Sequence, residues 1–92
     1  MICLKKIEEL RKEIDKVDND IILLIKKRLD LVPDIREYKR IANLPIRQNK
    51  REMELIEKNK KHATSLGLNE VAIEKIFRIL IDESIKKQEG ND

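Results

Sequence analysis

From Ile7 to Tyr38 apolar residues follow alternating spacings of three and four, broken only at position 28: Ile7, Leu10, Ile14, Val17, Ile21, Leu24, Leu31, Ile35 and Tyr38. A seam of this kind lies along one side of a long helix. It predicts a single helix from about Leu4 to about Arg40, roughly 55 Å long at the usual helical rise. Composition agrees. Of the 92 residues, 42% are charged and 2% aromatic, and Gly and Pro occur twice each, so long helices are favoured over sheet. The expected class is all-α, in one domain.

The rest of the chain divides at its turn residues. Residues 41–48, Ile41 to Gln48 around Pro45, read as a loop, because proline pushes the preceding residue out of the helical region. Asn49 is a plausible N-cap for a second helix over 49–66, with Glu52 at the capping-box position. That helix carries Met53, Leu55, Ile56, Ala63 and Leu66 inward. Gly67 suits a left-handed helix end, and Asn69 caps a third helix over 70–88. The third helix's apolar face is Ile73, Ile76, Phe77, Leu80, Ile81 and Ile85, and the tail Glu89–Asp92 is expected to fray. The two short helices, about 27 Å each by the same rise, together only match the long one. Much of the long seam would stay wet unless a second copy covered it. The expected assembly is an intertwined homodimer with antiparallel long helices.

Charge and targeting signals bound the function. The net charge of +3 is mild, with both signs interspersed. A nucleic-acid binder would show a clustered basic face and a docking motif. Cys3 is the sole cysteine, so no internal disulfide forms, and a reducing compartment is expected. No apolar run resembles a signal peptide or spans a bilayer. The expectation is a cytoplasmic protein without membrane or nucleic-acid partners.

Polar residues interrupt the apolar stripes at particular places. Ile7, Ile14, Ile21, position 28 and Ile35 form one row of the heptad, and position 28 is Arg28. A charge there is costly unless compensated. The plain alternative is that Arg28 snorkels to water or pairs with Asp30 or Asp34. Arg11 and Lys39 lie on the row beside the seam, roughly 42 Å apart on one helix. One chain cannot bring them to one small molecule, but an antiparallel dimer crossing near residues 20–25 brings Arg11 of one copy beside Arg28 and Lys39 of the other. Ser84 and Gln88 extend the apolar stripe of Phe77 and Ile81 with hydrogen-bonding groups, although Gln88 alone could reflect helix-end fraying. Arg51 and Glu52 open the second helix, where a cation is slightly disfavoured and Glu52 could simply complete the cap.

Taken as a set, Arg11 from the partner, Arg28, Lys39 and Arg51 with Glu52, Ser84 and Gln88 form a pocket richer in cations than anions. Guanidinium forks match carboxylates bidentately, so the expected guest is a small dicarboxylate. No cluster suits a metal. Ser84 lacks a base partner for nucleophilic work, His62 falls on a polar surface, and there is no phosphate-binding Gly-rich loop. No cofactor is expected.

Several segments resemble one family. Leu10-Arg11-Lys12-Glu13-Ile14-Asp15-Lys16-Val17-Asp18, and Lys27-Arg28 followed by Lys39, look like the long helix of the all-helical chorismate mutases. Pro45-Ile46-Arg47 with Arg51-Glu52 resembles that family's loop and second-helix start. Phe77-Arg78-Ile79-Leu80-Ile81-Asp82-Glu83-Ser84 and Gln88 resemble its third helix. The resemblance covers nearly the whole chain, in order. It implies conversion of chorismate to prephenate on the route to phenylalanine and tyrosine, by a chain of monofunctional length with no fused dehydratase or dehydrogenase. It further implies that the partner's Arg11 and Arg28 hold the two carboxylates, that Lys39 and Gln88 bind the ether oxygen, and that Glu52 takes the ring hydroxyl. Arg51 and Ser84 would line the carboxylate end. Gln48, also expected at the substrate, stands where the family leads one to expect aspartate.

Pro33 departs from a regular helix. Within a helix it removes a hydrogen bond to Leu29 at a cost of about 3 kcal/mol, and a bent but continuous helix is expected. Rival functions are a lyase on the same fold that removes pyruvate from isochorismate, a helical dimerisation module, and a basic nucleic-acid binder.

Overall fold

The computed structural model describes residues 4–90; Cys3 and the last two residues of the tail lie outside them. The chain is all-helical, with α1 over Leu4–Asp30, α2 over Val32–Ile41, α3 over Asn49–Ser65 and α4 over Glu70–Gln88. It falls into two compact units, the first ending at Asp30 and the second beginning at Leu31.

The first unit is α1. Its seam residues Leu10, Ile14, Val17, Ile21 and Leu24 are all exposed, whereas Ile25, Arg28 and Leu29 at its C-terminal end are half-buried. Asp30, one candidate partner for Arg28, accepts from Lys26 Nζ at 2.7 Å.

The single segment expected over 4–40 is interrupted at Leu31. The cause is Pro33, which has no N–H to offer Leu29. Leu31 keeps right-handed dihedrals (φ −80°, ψ −17°) and becomes the residue before α2. Pro33 then occupies the first turn of α2, where a missing N–H costs little, and Ile35 N–H reaches Leu31 O at 3.3 Å.

In the second unit α4 packs against both α2 and α3. Val32, Ile56, Ala63 and Ile81 are its buried apolar side chains, joined by Glu52 and Ser84. The face of α2 turned inward is Val32, Arg36 and Lys39; Leu31, Ile35 and Tyr38 of the seam remain exposed. Met53, Leu66 and Ile76, expected inside, are also exposed, at 65%, 63% and 50%. Those positions follow the helical period, but α3 and α4 bury narrower stripes against each other than the sequence pattern offers.

Local chemistry sets the ends of these helices. α2 closes with Asn43 in the left-handed region (φ 57°), Asn43 N–H bonding Arg40 O and Leu44 N–H bonding Lys39 O at 2.8 Å. α3 ends in the same double bond around Gly67 (φ 76°), with Leu68 N–H on Ala63 O and Gly67 N–H on Thr64 O. Asn69 Oδ1 accepts from Ala72 N–H at 2.9 Å and starts α4. One expected cap is corrected: Gln48, not Asn49, precedes α3, and its side chain makes no capping bond. Glu52 therefore lies one position past the capping-box slot, and its N–H bonds Gln48 O at 3.0 Å. In the described part of the tail, Glu89 and Gly90 N–H groups bond Ile85 O and Lys87 O.

Candidate functional site

Lys39 sits in the last turn of α2, and the Asn43 cap fixes the backbone from which it extends. Its ammonium donates to Gln88 Oε1 at 2.8 Å and to the Ile46 carbonyl in the following loop. An ammonium has three N–H donors, so one remains for a ligand. Burial is the main influence lowering the Lys39 pKa from its ordinary value; the Glu52 carboxylate opposes this, and the like charge of Arg36 adds to it.

Gln88 is the last residue of α4. With Oε1 engaged by Lys39, its Nε2 is left to donate, and makes only a long 3.4 Å contact to Ser84 O. Arg36 Nε donates to the Gln88 backbone carbonyl at 3.2 Å. That carbonyl is one of those a helix end leaves without an intrahelical donor, and a cation there is favourable. Arg36 thus ties α2 to the turn carrying Gln88. Ser84, one turn back, is buried, and its hydroxyl donates to Leu80 O at 3.0 Å.

Glu52 is 8% exposed, on the first turns of α3. Its Oε1 accepts from Arg78 Nη1 of α4 at 2.9 Å. Arg47 Nε lies 3.2 Å from Oε2, a charge contact that lacks hydrogen-bond geometry, so Oε2 is left without a hydrogen-bond partner. The other end of Arg47 bonds Asp82 Oδ1 at 2.7 Å. That pairing is the largest influence raising the Arg47 pKa, with the Glu52 charge next.

The second unit therefore brings together Lys39, Gln88, Ser84 and Glu52. It does not bring Arg51 into the group: Arg51 is exposed, with no hydrogen bond or ion pair among the described residues. Gln48 is half-buried, four residues before Glu52, and its side chain makes no capping bond. Arg11 and Arg28 belong to α1. Arg11 is exposed and ion-paired to Glu8 at 3.0 Å, and Arg28 is half-buried. Arg36 and the roles of Arg78 and Asp82 escaped the sequence analysis. Arg36 could have been found three residues before Lys39 on the same face, and Arg78 four residues before Asp82 on α4.

The family model for chorismate mutase type II matches residues 10–89. The chain belongs to this family. It is 34% identical over 87 residues to the chorismate mutase of Methanocaldococcus jannaschii, covering 92% of this chain and 88% of that one. It is 46% identical over 55 residues to the bifunctional chorismate mutase/prephenate dehydratase of Aquifex aeolicus, covering 60% of this chain and 15% of that protein. The T-protein of Haemophilus influenzae is 32% identical over 84 residues, 91% of this chain and 22% of that protein. The chain thus spans most of the Methanocaldococcus jannaschii chorismate mutase and less than a quarter of the other two. Among the described residues, no helix is long and apolar enough to cross a membrane.

Proposed function

We propose that the chain is an isomerase that rearranges chorismate to prephenate in aromatic amino acid biosynthesis, acting as a homodimer whose two sites each draw on both copies. The observation that carries the mechanism is the Lys39–Gln88 pair, 2.8 Å apart and partly buried. The reaction is pericyclic, so it needs no proton transfer or covalent catalyst. It needs an extended dianion held in its compact conformer, and it needs donors where charge develops.

In the transition state the breaking C–O bond leaves negative charge on the ether oxygen. The third N–H of Lys39 and the amide of Gln88 would meet that oxygen together. Donors placed in advance at developing charge lower the barrier rather than merely tightening binding. Arg28 and the partner's Arg11 would hold the two carboxylates, Arg51 and Ser84 would line the carboxylate end, and Glu52 would accept the ring hydroxyl. Gln48, lacking the expected carboxylate, would contribute an amide from one turn before Glu52. The site proposed here uses no metal or cofactor, and a cytoplasmic location suits such an enzyme.

The test follows chorismate loss by absorbance with purified protein and identifies the product. Prephenate supports the assignment; turnover of isochorismate alone, with release of pyruvate, would transfer it to the lyase. Lys39→Ala should lower kcat by about a thousandfold, the scale of losing one donor aimed at developing charge. A variant with near-normal kcat would remove Lys39 from that role.

A further inference from the structure

We infer that Arg78 is a positioning residue that selects which oxygen of Glu52 receives a substrate hydroxyl, and thereby makes the site demand that hydroxyl. The inference rests on the proposed mutase activity and on Glu52 facing the ring hydroxyl.

Four charged groups alternate in sign around this point. Arg78 of α4 bonds Glu52 Oε1 at 2.9 Å; Glu52 Oε2 is 3.2 Å from Arg47 Nε; Arg47 bonds Asp82 at 2.7 Å. Arg78 and Asp82 are one helical turn apart on α4, so a single helix face supplies both ends of the chain. The two oxygens of Glu52 are not equivalent. Oε1 is satisfied by a guanidinium, whereas Oε2 is buried and has no hydrogen bond.

A buried acceptor without a donor is costly, and a ligand that brings the donor relieves the cost. A site with such an acceptor rejects analogues that lack the matching group. Arg78 keeps the acceptor available. Without it, the Glu52 carboxylate would be free to turn both oxygens toward Arg47, the remaining guanidinium, in the fork geometry carboxylates favour. Oε2 would then be occupied, and the demand for a hydroxyl would fall. A merely structural role, pinning α3 to α4, would weaken turnover of every substrate alike.

The experiment compares kcat and KM for chorismate and for its analogue lacking the ring hydroxyl. The analogue retains the six-atom array that rearranges, so it still reacts. Arg78→Met should lower kcat/KM for chorismate by about tenfold, the scale of one hydrogen bond to a charged group, and leave the analogue nearly unchanged. Arg78→Lys should recover most of the loss. In a Glu52→Gln background, Arg78→Met should not alter the ratio between the two substrates further. Equal losses on both substrates, or no change on either, would overturn the inference. If Arg78→Met does not fold, Arg78→Leu, which also removes the donor while keeping an apolar stem, reads the same ratio. Wild-type protein that turns over neither substrate would instead defeat the mutase assignment, and the inference with it.

Discussion

Lys39 is half-buried, and burial does most to hold its pKa below the ordinary lysine value of 10.5. Folding and catalysis respond to this in opposite directions. Between the folded and unfolded pKa values the unfolded chain binds more protons at this position, so the Lys39 contribution to stability rises with pH across that alkaline window. Catalysis loses its donor over the same rise. The other group proposed at the ether oxygen, Gln88, is a neutral amide and does not titrate. kcat/KM, which reports the free enzyme, should therefore stay flat through neutral pH and then fall on an alkaline limb centred below 10.5. A bell with an acid optimum would mean that a carboxylic acid, not this pair, governs the rate.

At the scale of the element, what could be read from the sequence was the chemistry that acts within a few residues. Gly67 and Asn69 declared the turn between α3 and α4 because a left-handed helix end and a side-chain cap each need particular residues at particular offsets. Glu52 shows where that logic stops. Its spacing from Asn49 fits a capping box, yet a guanidinium 26 positions away on α4 takes its carboxylate. No local pattern records a contact of that separation. The seam over Leu31, Ile35 and Tyr38 was legible as a period but not as an inward face, since Val32, Arg36 and Lys39 are the residues α2 buries. Pro33 was legible as a disturbance, and its tolerated position in the first turn of α2 became clear only with the helix boundary at Leu31. The Asn69 cap gives this scale its test. Asn69→Ala should lower stability by about 1 kcal/mol, measured as a lower urea midpoint at unchanged m, while kcat stays put, because the cap bonds only Ala72 N–H. An unchanged midpoint would show that the turn is held by the Gly67 bonds alone.

For the whole molecule the telling fact is how little of the apolar seam is covered. Leu10, Ile14, Val17, Ile21 and Leu24 on α1 are 47–64% exposed, and only four apolar side chains among the described residues are buried. Each buried aliphatic side chain contributes about 1.5–3 kcal/mol, while ordering one residue's backbone costs about 1–2 kcal/mol. One chain's buried core is small for its length, and in the proposed homodimer a second copy laid along the seam would be the symmetric remedy. The same arrangement would supply the proposed site with Arg11 from one copy and Lys39 from the other, and complementation can read this directly. Arg11→Ala and Lys39→Ala should each be nearly inactive alone. Mixed, unfolded and refolded together in equal amounts, they would, in the proposed assembly, form mixed dimers in which one site carries both lesions and the other carries neither. With half of the dimers mixed and one sound site in each, activity should return to about a quarter of wild type, as random pairing of symmetric subunits requires. If both residues of a site came from one chain, every site in every dimer would keep one lesion, and mixing would restore nothing.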